Sequence, residues 1–187
     1  MRFFALGLTA LILGACGQAL DNDLAASSCT YSATHEVIWT NSNAADTITT
    51  HSEGPSCAQA IVTFTARNAQ GDPLWAFASS YYAMNVGEGA PPEGAPPVSN
   101  QDIEHFLAAW AEVTQMRSSQ LPQWRDIAHT DAADGLSYAS PLNSESYPLV
   151  RERDLPLICL AVGAEASQCL MIDPFSHAPA LLVTVGP

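Results

Sequence analysis

Apolar and polar residues alternate through four early runs, about 30–40, 46–52, 58–67 and 73–84, each bounded by turn-forming residues. A period of two is the signature of β-strands, so the first half reads as four strands. "NAQGDP" joins the last two runs as a turn. In the fourth run Trp75, Phe77 and Tyr81 share one face, while Leu74, Ala76 and Ala78 take the other. Both faces are apolar, which predicts a central strand.

The period then changes. Ser99 is placed to cap a helix with Asp102 three residues on, and Ile103, Phe106, Leu107, Trp110 and Val113 follow at helical spacing. This predicts an amphipathic helix from Ser99 to about Arg117. Downstream, "PQWRDIAH" within 121–135 reads as a short helical turn, "LSYASPL" as a brief strand, and "SYPLVRERD" as a short helix with Pro148 in its first turn. Three short apolar runs, about 156–163, 168–173 and 180–185, end the chain as strands. The pattern predicts an α+β fold: a largely antiparallel β-sheet of about 6–8 strands with one principal amphipathic helix packed across it.

Before that helix, "EGAPPEGAPP" (Glu88–Pro97) repeats a five-residue phrase. The strands before it have an apolar face and no helix to cover it, and the helix after it needs such a face. The expectation is therefore a single domain over 29–187, with residues 87–98 as an exposed, extended strap. Polyproline II geometry would give the repeat a reach of about 30 Å.

The chain opens "MRFFALGLTALILGACGQ": one cation, Arg2, then an apolar run from Phe3 to Leu13, then small residues ahead of Cys16. Such an n-region and h-region describe a secretory signal too short to span a bilayer. "LGAC", Leu13 to Cys16, resembles the lipobox of bacterial lipoproteins. The resemblance covers the leader only. It implies removal of residues 1–15 and lipidation of Cys16; the polar, small residues that follow, "GQALDNDLAASS", make 16–28 read as a flexible tether. Gly17 stands where Asp often signals inner-membrane retention in that class, so the implied location is the outer membrane, facing the periplasm. Two or three acyl chains anchor firmly where one binds only marginally.

Charge narrows the partners. The 187 residues less the 15 of the leader leave 172, which carry all 19 acidic residues and five arginines, a formal charge of −14. There is no lysine. Nucleic acid is excluded as a partner, because binding it needs a cationic footprint. Contact with the membrane is expected through the lipid alone. An acidic surface can attract cationic proteins or peptides.

Four cysteines remain besides Cys16, an even number in an oxidising compartment. A hairpin centred near Asn43 places Cys29 opposite Cys57, and one centred near residue 164 places Cys159 opposite Cys169. The predicted connectivity is therefore two local disulfides, Cys29–Cys57 and Cys159–Cys169. No CxxC occurs, so no zinc site competes for them, and no cofactor is expected.

Familiar catalytic signatures are missing. Without lysine there is no Walker A loop, Schiff base or Ser–Lys pair. "HEVIW" at His35 departs from HExxH, and "GLSYA" at Gly135 departs from GxSxG. Asp102/His105 and Asp126/His129 have a spacing that could orient an imidazole. His129, Asp131 and Asp134 gather in "HTDAADG", where oxygen ligands could hold Ca²⁺, although the spacing fits a solvated turn better. Trp39, Trp75 and Trp110 fall on periodic segments and read as core. Trp124, beside Arg125 in an irregular stretch, is the candidate for an exposed contact. The candidate site residues are thus Trp124, His129, Asp131 and Asp134.

These observations favour a lipid-anchored envelope protein with a non-enzymatic binding domain for a cationic protein or peptide. The competing expectations are a hydrolase assembled around His105, His129 or His177, and a structural subunit of an envelope complex.

Overall fold

The computed structural model describes residues 28–41, 43–87, 91, 97–125 and 137–186. The leader, Cys16, the tether and most of the strap lie outside them, as do His129, Asp131 and Asp134.

Nine strands, among the described residues, form two antiparallel sheets. The first is a meander of β1 (Tyr31–Asn41), β2 (Ala44–Glu53), β3 (Ile61–Arg67) and β4 (Pro73–Ser80). The second comprises β5 (Thr114–Arg117), β6 (Ser137–Ala139), β7 (Pro156–Ala161), β8 (Ser167–Ile172) and β9 (Pro179–Gly186), in the order β5-β7-β8-β9-β6. Three helices accompany them: α1 (Tyr81–Asn85), α2 (Asn100–Ala111) and α3 (Ser146–Glu152). The α+β architecture follows the pattern of the sequence, with its strands divided between two sheets.

The principal helix begins at the predicted cap. Ser99 Oγ accepts from Asp102 N at 3.1 Å, and the Asp102 carboxylate accepts from Ser99 N at 3.1 Å. It packs across β1 and β2. There the buried Thr50 donates its hydroxyl to the Leu107 carbonyl at 2.9 Å. Ile103, Leu107 and Trp110 share one core with Val37, Trp39, Ile48, Val62 and Phe64 of the first sheet and with Ile158, Leu160 and Leu170 of the second. Trp110 is the hub of that core, with ring centroids 5.5 Å from Phe64, 6.2 Å from Phe77 and 5.4 Å from Phe106.

Three local expectations are corrected. β4 is an edge strand rather than a central one, since among the described residues only β3 pairs with it. It also stops at Ser80, whose hydroxyl accepts from Ala83 N at 3.0 Å and caps α1, so Tyr81 leaves the strand pattern. α2 ends at Ala111 instead of near Arg117: Glu112 departs from helical dihedrals and "TQMR" becomes β5. Val113, still buried, had extended the helical period by chance.

Both disulfides pair as predicted, by different routes. Cys159 and Cys169 are direct cross-strand partners. Cys29 instead lies opposite Gly54, whose carbonyl accepts its N–H at 2.9 Å, and Cys57 opens a 3₁₀ turn (Cys57–Gln59) that folds back towards it. That reversal needs glycine, for a Cβ on Gly54 would sit 2.7 Å from Ala60 Cα.

Candidate binding surfaces

The arginines of the protein are clustered. Arg117, Arg125, Arg151 and Arg153, four of the six arginines, lie between β5 and the C-cap of α3. On the first sheet the arginine is Arg67, which donates to the Gly71 carbonyl at 2.9 Å across its own turn. Carboxylates, among them Glu145, Glu152 and Asp154, accompany the clustered arginines and are also spread over the rest of the fold. Asp102, Glu104 and Glu112 occupy exposed positions along α2 and its C-cap, and Glu36 and Glu53 are exposed on the outer face of the first sheet. Asp46 is the exception, fully buried in the β1–β2 hairpin.

The arginine-rich end is built around Ser118 and Tyr147. Ser118 is buried in a 3₁₀ turn (Ser118–Gln120), where its hydroxyl donates to the carbonyls of Val150 and Arg151 and accepts from Leu155 N. It thereby adds a second donor to carbonyls at the C-terminus of α3 that also accept from Arg153 N and Asp154 N. Arg151 Nε donates to Leu121 O at 2.7 Å, and the Tyr147 hydroxyl donates to Pro122 O at 3.0 Å. Burial pushes the Tyr147 phenol up to about 12, with Arg151 opposing the shift. These two bonds hold the carbonyls of Leu121 and Pro122 against α3, so the next three residues run beside the helix.

The result is a cleft of about 330 Å³ lined by Gln123, Trp124, Arg125, Pro148, Arg151 and Glu152. The α3 contributors are spaced i, i+3 and i+4, which places them on one helix face. Trp124 is half-buried, its ring centroid 5.7 Å from that of Tyr147. The cleft therefore joins one aromatic surface, two guanidinium groups, one carboxylate and one amide.

Neighbouring contacts stiffen this end. Arg117 pairs with Asp154 at 3.1 Å, and the Arg153 guanidinium lies 5.0 Å above the Phe175 ring. The Ser119 hydroxyl and Arg117 hold the Asp154 carboxyl below its ordinary range. Asp154 itself adopts a left-handed backbone (φ 54°), which Asp tolerates better than most residues.

Two other depressions occur among the described residues. An apolar one of about 290 Å³ lies between the end of α2 and β7, and includes Phe106, Trp110, Val113 and Leu160. A more polar one of about 210 Å³ includes Thr40, Asn68, Gln70 and His177. The first joins aromatic faces to the Glu112 carboxylate but has no cation, and the second has no aromatic face.

Of the predicted site residues, Trp124 lies in the cleft. No other weak candidate falls among the described residues. Sequence reasoning missed Pro148, Arg151 and Glu152, although their helical spacing in "SYPLVRE" shows that they share a face. The described histidines are dispersed: His35 on β1, His51 on β2, His105 on α2 and His177 in the β8–β9 loop. The Asp102 carboxylate, a possible partner of His105, is engaged in capping α2. No three His, Cys, Asp or Glu side chains among the described residues gather in a metal-binding arrangement, and no described helix is long and apolar enough to cross a membrane.

Compared with known proteins, the chain matches no family model, no curated protein and no solved structure.

Proposed function

We propose that this chain is a lipid-anchored envelope protein whose folded domain acts by binding, and that it captures cationic proteins or peptides directed at the envelope. The excess of acidic residues, 19 against six arginines, carries the reading, together with the acidic face of α2. The exposed carboxylates of α2 and its C-cap, Asp102, Glu104 and Glu112, have no arginine on the same helix, and on the outer face of the first sheet Glu36 and Glu53 share the surface with the single cation Arg67. A field of one sign over such surfaces speeds encounter with partners of the other sign and selects against like-charged ones.

The leader supports the location. Lipidation at Cys16, with residues 16–28 as tether, would hold the domain at the periplasmic face of the outer membrane. The two disulfides suit that oxidising compartment. Lipidation is tested by Cys16→Ser followed by membrane fractionation: the variant should move to the soluble fraction, and unchanged membrane attachment would refute it.

Capture is tested by passing an envelope extract from the source cells over the immobilised mature domain and eluting with a salt gradient. Retained proteins should be basic and leave the column at modest salt. Retention of acidic proteins, or retention insensitive to salt, would count against cationic capture.

A further inference from the structure

Cationic capture makes no use of the cleft beside α3, where the local charge has the opposite sign. Among its described lining residues, two guanidinium groups and one carboxylate sum to a formal charge of +1, inside a chain of strongly negative charge. At physiological ionic strength the screening length is about 8 Å, so a ligand in the cleft responds to these near charges more than to distant carboxylates.

Each wall makes its own demand. Trp124 offers an apolar plane, held at a fixed tilt by Tyr147. Such a plane suits the flat C–H face of a sugar ring, with the indole edge left for polar contact. Arg151 is oriented because its Nε is committed to Leu121 O, which sets the plane of the guanidinium. A planar guanidinium matches a carboxylate in two-point geometry. Glu152, exposed at the rim, offers an acceptor to a sugar hydroxyl beside the ring. The net charge favours a monoanion over a phosphate dianion, which Glu152 would repel. The volume lies at the lower end of ligand sites, roughly 300–1,000 Å³, and suits one ring more than an extended chain.

We infer that the Trp124–Arg125–Arg151–Glu152 cleft binds a carboxylate-bearing sugar ring, such as a uronic acid unit of an acidic glycan.

The test uses the mature full-length chain labelled with ¹⁵N and follows the Trp124 indole N–H, assigned by its loss in Trp124→Phe. The probes are an oligogalacturonide and its methyl ester, which keeps the sugar and removes the charge. The acid form should shift the Trp124 resonance in a saturable way at millimolar ligand. Arg125→Gln should weaken binding by about tenfold or more, as expected for loss of a hydrogen bond to a charged group. That position is chosen because Arg151 also holds the local fold. Esterification should weaken binding similarly. An equal response to the ester would overturn the carboxylate assignment. A shift unaffected by Arg125→Gln, or no shift at millimolar oligogalacturonide, would overturn the site.

Discussion

Trp110 donates its indole N–H to the carbonyl of Ala161 at 3.0 Å, tying the helix that covers the first sheet to a strand of the second. The residue is 5 % exposed, and its ring meets Phe64, Phe77 and Phe106. One side chain therefore belongs to the packing of both sheets. Trp110→Ala should cost about 3–5 kcal/mol through lost contacts and the cavity left behind. Trp110→Phe keeps most of the ring and gives up the hydrogen bond, for about 1 kcal/mol. Denaturant unfolding followed by amide exchange in both sheets should show one shared transition moving in each variant. Destabilisation confined to one sheet would contradict a shared core.

Asp46 is fully buried, and its carboxylate accepts from Trp39 N at 3.1 Å, Thr40 N at 2.6 Å and Thr40 Oγ1 at 2.7 Å. The register of β1 against β2 shifts between Val37 and Asn41, so Asp46 serves N–H groups in the irregular stretch of the ladder. Asp46→Ala leaves them unpaired and should cost about 1–3 kcal/mol for each buried donor left without an acceptor. Asp46→Asn retains one acceptor oxygen and should cost less. Equal midpoints for both variants in urea would contradict this role.

Stability should fall at both ends of the pH scale for separate reasons. The carboxyls of Asp102, Asp154 and Asp173 are held below their ordinary range, chiefly by hydrogen bonds from the Ser99 hydroxyl, the Ser119 hydroxyl and the Phe175 N–H respectively. A lowered pKa in the folded state means stability present above the unfolded value, about 3.9, and lost as pH falls through the folded value. Tyr147 works in the opposite sense. Its phenol is raised by burial to about 12, so its contribution is complete below the unfolded value near 10 and is lost as pH rises towards 12. Thermal midpoints should drop below about pH 4 and again above about pH 10. Tyr147→Phe should flatten the alkaline limb, and an unchanged limb would contradict the assignment.

Local signals in the chain were the most legible. The Ser99 cap, the period of α2, Pro148 in the first turn of α3 and the Cys159–Cys169 register each depend on a few neighbouring residues. What escaped depends on distant ones. Val113 sits at helical spacing yet follows the break at Glu112, because the chain gains a strand partner in β7. Ser80 interrupts an alternation that the flanking tyrosines continue. The division into two sheets rests on which edges pair, and no single segment states that. The cleft shows the same limit: Trp124 stood out as an aromatic in an irregular stretch, but its helix partners are set by Ser118, Arg151 and Tyr147 bonds across the fold.

The central claim, that the acidic domain captures cationic partners, is tested most directly by calorimetric titration of the mature domain with an oligo-arginine peptide at two salt concentrations. Affinity should fall by about tenfold or more between 0.01 M and 0.15 M salt, as the screening length contracts from about 30 Å to about 8 Å. Equal affinity at both concentrations, or no binding at the lower one, would contradict the claim.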